Sequence, residues 1–222
     1  MNYKVVIPAR ANSKRLPGKN MKLLGGVPLI EHSIRYALAH FSNQDVWVNS
    51  DDARVIEYAV KRGVKTLDRP SFLGSDETTS SDVLKFQLEY FDSLDINCDA
   101  IILMQPTNPF RNHDLINNAL QLFEESRSNS LVTFSVLEKK VGSLQEGRFL
   151  PLNYTFGQRS QNIQSYYYEN GLLYITKSAS IRKGEIVTSD AVPLVRESIY
   201  ETIDIDYLHD FIYAESLMKL KL

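Results

Sequence analysis

The turn Arg10-Ala11-Asn12-Ser13-Lys14-Arg15-Leu16-Pro17-Gly18-Lys19-Asn20 concentrates four cations beside small polar residues and a glycine, and the apolar run Val5-Val6-Ile7-Pro8-Ala9 leads straight into it. A strand of β-branched residues can be buried on both faces, and it delivers the turn after it to the carboxyl edge of the sheet, where open α/β sheets bind ligands. Backbone N–H groups in such a turn can converge on an anion while Arg and Lys neutralise it. These residue types suit a polyphosphate cradle, and a solvated basic loop is the plainer alternative. The Walker A pattern is absent, because Lys19 is followed by Asn20, and so is the dinucleotide fingerprint G-x-G-x-x-G.

A second constellation lies near the other end, in Thr202-Ile203-Asp204-Ile205-Asp206. In a strand, the period of two sends both carboxylates to one face and both isoleucines to the core. Two carboxylates about 7 Å apart at Cα can hold one hard cation directly or through its waters, and Mg²⁺ with bound phosphates meets that description. The plainer alternative is an alternating edge strand with Asp206 as the cap of the following helix.

The elements that must position these residues are given by periodicity. Strands are predicted at Tyr3–Ala9, Asp45–Ser50, Val64–Leu67, Ala100–Gln105, Ser130–Leu137 and Gly171–Lys177, and a further one at 202–206. Between them run helical stripes: Leu29, Ile30, Ile34, Ala37 and Leu38; Val55, Ile56, Ala59 and Val60, closed by Gly63; Val83, Leu84, Leu88 and Phe91, with Thr79 and Asp82 in capping-box register; and Leu115, Ile116, Ala119, Leu120 and Phe123. A last helix carries Leu208, Phe211, Ile212 and Met218. Alternation through the first 138 residues predicts an α/β fold with a mostly parallel sheet covered on both sides. The stretch 139–170 has no helical period and includes Tyr166-Tyr167-Tyr168, which predicts hairpins or an extended arm.

With 222 residues, 43% of them apolar, the chain can bury a full core. A net charge of −2 gives no basic excess for nucleic acid. Cys98 is the only cysteine, which rules out an intramolecular disulfide and suits a reducing compartment. The N-terminus lacks the apolar stretch of a signal peptide or a membrane span, so a cytoplasmic protein is expected. His32, His40, His113 and His209 fall in or beside helical patterns and read as structural.

Taken together, five blocks resemble the CMP-N-acylneuraminate synthetases, the cytidylyltransferases that activate sialic acid and related 2-keto sugar acids. They are the N-terminal turn; Arg69-Pro70 with Leu73-Gly74-Ser75-Asp76; Leu103-Met104-Gln105-Pro106-Thr107-Asn108-Pro109-Phe110-Arg111; Asn170-Gly171-Leu172-Leu173-Tyr174-Ile175; and Ile203-Asp204-Ile205-Asp206. The resemblance spans residues 5–215. It implies a Rossmann-like nucleotidyltransferase three-layer sandwich with a mostly parallel central sheet, forming a single cytidylyltransferase domain over 1–222. Residues 139–170 would be a protruding arm that exchanges across a homodimer.

The resemblance further implies that Arg10, Ser13, Lys19 and Asn20 hold the CTP phosphates and ribose side, and that Arg69 and Ser80 frame the base and nucleotide. Gln105, Arg159 and Tyr174 would line the sugar-acid pocket, while Asp204 and Asp206 place Mg²⁺. Arg10, Lys19, Asp204 and Asp206 would be the catalytic set. The chain departs from the family pattern at Ala11-Asn12 and at Arg15. Its Ser-Lys-Arg version resembles the pseudaminic-acid branch, whereas Asn170-Gly171-x-x-Tyr174-Ile175 resembles the sialic-acid branch. The expected reaction joins CMP from CTP to the anomeric 2-hydroxyl of a nonulosonic acid, releasing pyrophosphate for surface-glycan synthesis in lipopolysaccharide or capsule. Alternatives are a pseudaminate, legionaminate or KDO-type synthetase, a metal-dependent glycosyltransferase using the Asp-x-Asp pair, and a nucleotide-binding regulator without turnover. No membrane or nucleic-acid partner is expected.

Overall fold

A computed structural model of the chain describes residues 1–11, 13–75 and 77–220. Asn12 and Asp76, which belong to two of the sequence motifs, lie outside the described residues.

The strands are β1 (Tyr3–Pro8), β2 (Leu23–Leu24), β3 (Val27–Pro28), β4 (Val46–Ser50), β5 (Lys65–Asp68), β6 (Ala100–Leu103), β7 (Ser130–Leu137), β8 (Gly142–Gln145), β9 (Arg148–Pro151), β10 (Tyr166–Lys177) and β11 (Val192–Val195). The α-helices are α1 (Leu29–Leu38), α2 (Ala53–Lys61), α3 (Ser80–Ser93), α4 (Leu115–Ser126), α5 (Ser178–Arg182) and α6 (Leu208–Leu220). A seven-stranded sheet has the order β11-β7-β10-β6-β1-β4-β5. All its pairs are parallel except those of β10, which runs against β6 on one side and β7 on the other. Val5, Val6 and Ile7 of β1 have no exposed surface, as a central strand covered on both faces requires.

The helices cover both faces. Ile30 and Ile34 of α1, Val55 and Ala59 of α2 and Leu115, Ile116, Ala119 and Phe123 of α4 pack on one side. Leu84, Leu88 and Phe91 of α3 and Ile181 of α5 pack on the other. Local chemistry sets the helix starts. Asp52 caps α2 by accepting the Arg54 amide at 3.0 Å, and Thr79 and Asp82 form the expected capping box on α3.

Three expectations are corrected. Residues 202–206 do not form a sheet strand: a 3₁₀ turn covers Ile199–Thr202, Ile203 is extended, and Ile205 N–H donates to the Thr107 carbonyl at 2.8 Å. The alternation nevertheless holds, with Ile203 and Ile205 buried and Asp204 exposed. On α6 the buried stripe is Phe211, Ala214 and Leu217, whereas Leu208 and Ile212 are exposed, because the helix packs against a small cluster and not against the sheet. Val60 on α2 is likewise exposed.

That small cluster joins Leu16 of the basic turn, Leu24, Leu29, Phe110, Ile203, Ile205 and the inner face of α6. It is the apolar floor beneath both chemical constellations. The region 139–170 contains the β8–β9 hairpin and the first half of β10, which carry the exposed apolar side chains Leu144, Phe149, Leu150 and Tyr167. Among the described residues no helix is long and apolar enough to cross a membrane.

Ile205 has no exposed surface. Ile205→Ala is expected to lower unfolding free energy by about 2–5 kcal/mol, read as a lower urea midpoint with an unchanged slope.

Candidate active site

One cleft of about 330 Å³ is lined by residues of both constellations. Arg10, Ser13, Arg15, Lys19 and Asn20 line it together with Asp204 and Asp206, and Gln105 and Thr107, just beyond the carboxyl end of β6, line it too. Arg69, Thr78, Thr79 and Ser80 complete it, so the capped N-terminus of α3 opens on the same space.

The turn is fixed from below. Gly18 takes a left-handed conformation (φ 66°) and starts a 3₁₀ turn at Lys19–Met21. The buried Asn20 donates its amide to the Arg10 carbonyl at 3.1 Å, which makes it a brace of the turn as well as part of the lining. Lys19 donates to Asp206 Oδ1 at 2.9 Å and to the Ile205 carbonyl at 3.1 Å. Arg15 Nη2 meets Asp206 Oδ2 at 2.8 Å. The helix-cap alternative for Asp206 is answered by Asp210, whose Oδ2 accepts the backbone N–H groups of Asp206 and Tyr207 at 3.0 and 2.7 Å.

Asp51, unmarked by any motif, is a hub of this wall. Its Oδ1 accepts the Ala11 amide at 2.8 Å and Arg69 Nη2 at 3.3 Å. A Cβ on Gly74 would stand 2.2 Å from Asp51 Oδ2, which explains the glycine in the Leu73–Ser75 block. Arg69 is buried, and burial lowers its guanidinium from the ordinary value against the opposing pull of Asp51. Its Nε, like Ser13 Oγ, is buried with no hydrogen-bond partner among the described residues. Unpaired buried donors are costly, so both suit a bound acceptor.

The part of the cleft around Gln105 rests on a buried polar knot. Asn108 donates to the Asn170 and Ile203 carbonyls at 2.9 and 3.0 Å. Asn170 in turn accepts from Thr133 Oγ1 at 2.7 Å and donates to Ser135 Oγ at 3.0 Å. Arg111 donates to the Gln105 and Leu172 carbonyls at 2.8 and 3.0 Å and to Ser33 Oγ at 3.0 Å. Gly171, at φ 73°, sits where the β10–β7 register shifts, and a Cβ there would come within 3.1 Å of both Gln105 Oε1 and Asn108 Oδ1. The Asn170-Gly171 motif is therefore a bulge that lets β10 pass against Gln105.

A cytidylyltransferase family profile matches residues 4–221. The chain belongs to the cytidylyltransferase family. It is 33% identical to a CMP-N,N'-diacetyllegionaminic acid synthase of Legionella pneumophila, covering 99% of this chain and 97% of that one. An N-acylneuraminate cytidylyltransferase of Streptococcus agalactiae is 32% identical over 94% of this chain, which spans only 51% of that relative's length. Among solved structures, a CMP:2-keto-3-deoxy-manno-octonic acid synthetase complexed with CTP shares the fold, with a TM-score of 0.72 over the full length of both chains at 19% identity.

Not every expected residue reaches this cytidylyltransferase's cleft within one chain. Arg159 is exposed on the arm, before a 3₁₀ turn at Ser160–Asn162. Tyr174 packs against the α3-side core; its hydroxyl donates to Glu169 at 3.3 Å, and burial raises its phenol, with Glu169 and then Asp204 adding to the rise.

Asp204 is exposed at the cleft mouth, yet the crowding of protein around it thins its hydration and pushes its carboxyl up; Asp206 adds to the shift and Thr107 opposes it. Among the described residues no group of three or more His, Cys, Asp or Glu side chains is placed to hold a metal ion. A protein-only cage is thus not on offer. Two carboxylates that share a cleft with Arg10, Arg15 and Lys19 fit Mg²⁺, which commonly takes one or two carboxylates together with substrate phosphates.

Gly74→Ala should cost about 1–3 kcal/mol by overpacking and speed hydrogen exchange at the Ala11 amide, whose acceptor is the displaced Asp51. Because folding raises the Asp204 carboxyl, its charge opposes folding at pH 7, and that cost disappears below the ordinary carboxyl range, where both states are neutral. Asp204→Asn should therefore raise Tm at pH 7, with the gain closing as pH falls toward 4.

Proposed function

We propose that this chain transfers CMP from CTP to the anomeric 2-hydroxyl of a nonulosonic acid. The hydroxyl oxygen bonds the α-phosphorus, the bond to the pyrophosphate oxygen breaks, and the hydroxyl proton passes to a cleft carboxylate. The observation that carries this reading is one cleft lined by Arg10, Lys19, Gln105, Asp204 and Asp206 together. Phosphoryl-type substitution asks mainly for positioning and charge neutralisation, which this arrangement supplies without a covalent nucleophile.

In this reading Arg10, Ser13 and Lys19 bind the phosphates while Asn20 holds their turn. Arg69 and Ser80 face the nucleotide, and Gln105 meets the sugar acid. Asp204 and Asp206 would hold Mg²⁺, which when bound supplies positive charge to the phosphates. The exposed apolar arm supports a homodimer in which Arg159 serves the neighbouring cleft, with Tyr174 behind the pocket wall. A reducing, cytoplasmic setting and a role in surface-glycan synthesis accompany the reading. Among the possible acids, a legionaminate-type substrate gains support from the relative that matches this chain nearly end to end.

The direct test is pyrophosphate release from CTP and Mg²⁺ with a panel of neuraminic, legionaminic, pseudaminic and eight-carbon 2-keto acids. Release that depends on one nine-carbon acid and stops with EDTA is expected. No release with any acid, or release indifferent to EDTA, would overturn the proposal. Asp206→Ala should reduce turnover by roughly a hundredfold or more, the scale on which one transition-state electrostatic partner acts, while CTP binding persists in part.

A further inference from the structure

Both oxygens of Asp206 are already engaged by cations: Lys19 sits on Oδ1 at 2.9 Å and Arg15 on Oδ2 at 2.8 Å. The two partners differ in character. Lys19 is enclosed, with 13% of its side chain exposed and a second bond to the Ile205 carbonyl. Arg15 is 51% exposed, and its guanidinium lies 5.3 Å from the Tyr207 ring centroid. Its neighbour Leu16 is anchored in the apolar floor, so the backbone is fixed while the Arg15 side chain is held by Asp206 and Tyr207.

A divalent cation approaching Asp206 meets a guanidinium on the oxygen it needs, and like charges at that distance repel. A partly exposed Arg–Asp pair adds little to stability, so the fold does not depend on it. Phosphate oxygens arriving in the same cleft present a guanidinium with geometrically matched acceptors, often taken two at a time.

We propose that Arg15 is a positioning residue that acts as a removable latch on Asp206: it keeps this carboxylate from a divalent cation until nucleotide phosphates draw the guanidinium away, so that nucleotide binding promotes metal binding at this site. The proposal rests on the reading of Asp204 and Asp206 as the metal ligands. Linkage makes the effect reciprocal: whatever factor the nucleotide contributes to metal affinity, the metal returns to nucleotide affinity.

The test uses Mn²⁺ as probe, with free Mn²⁺ counted by electron paramagnetic resonance in the absence of nucleotide. Arg15→Ala is expected to bind Mn²⁺ about five- to tenfold tighter than the unsubstituted protein, the lower range of coupling between sites. The same substitution made on top of Asp206→Asn should bring no gain, because the latched carboxylate is gone. Adding CTP should then tighten Mn²⁺ binding less in Arg15→Ala than in the unsubstituted chain. Arg15→Gln, which keeps the bulk and loses the charge, repeats the measurement should the alanine variant fold poorly.

A gain of equal size in both backgrounds means that Arg15 acts only as a distant positive charge, and overturns the latch. An unchanged Mn²⁺ affinity in Arg15→Ala, with Asp204 and Asp206 still required for Mn²⁺ binding in the presence of CTP, overturns the latch alone. Mn²⁺ binding with CTP that is indifferent to Asp204→Asn and Asp206→Asn overturns the metal reading beneath it.

Discussion

The small apolar cluster under the cleft decides where the charges stand. Arg15 and Lys19 flank Leu16, and Asp204 and Asp206 alternate with Ile203 and Ile205; the three apolar side chains share one buried floor with α6. Burying a Leu or Ile side chain contributes about 1.5–3 kcal/mol, whereas a partly exposed ion pair contributes about 0–1 kcal/mol. The apolar anchors therefore bring the turn and the acidic segment together, and the ion pairs on top adjust orientation. This division suits a binding site: the charges can exchange partners with a ligand while their backbones stay in place.

The polar knot around Asn108 and Arg111 does the equivalent work around Gln105 and the Ile203 carbonyl. Arg111 is buried without a carboxylate in hydrogen-bond contact among the described residues; its partners are two carbonyls and the Ser33 hydroxyl, and desolvation pulls its guanidinium down to about 10, still cationic at neutral pH. Buried networks of this kind are rigid when every member is satisfied and costly when one is not. The end of β6, the bulge in β10 and the acidic segment consequently hold one geometry with respect to each other.

Much of this was legible in the residues. Period-two and period-3.6 patterns located β1, β7 and the cores of α1 to α4, and the cation-rich turn and the alternating aspartates do meet in one cleft. The features that stayed hidden have physical reasons. The Asp204 segment alternates like a strand because one side faces a core, yet it pairs with no strand among the described residues, and alternation alone carries no information about pairing. Strand β11 holds Pro193, which argues against a central strand but is tolerated at the sheet edge that β11 occupies. Asp51 bears no motif because its partners, the Ala11 amide, Arg69 and Gly74, are brought to it only by tertiary structure. Arg111 could not be distinguished by residue type from a surface arginine.

The sheet order has a consequence for how the chain is built. The half that carries the basic turn uses β1, β4 and β5, neighbours that come off the ribosome within the first 68 residues, with β6 closing beside β1 soon after. The other half cannot close in sequence, because the strand between β6 and β7 is β10, completed only at Lys177, and the acidic segment comes later still. Until then β6 and β7 each present an unpaired edge, the kind of surface that invites association with other chains during synthesis. The cleft is thus assembled in two instalments, with the basic turn in place well before the acids that pair with it.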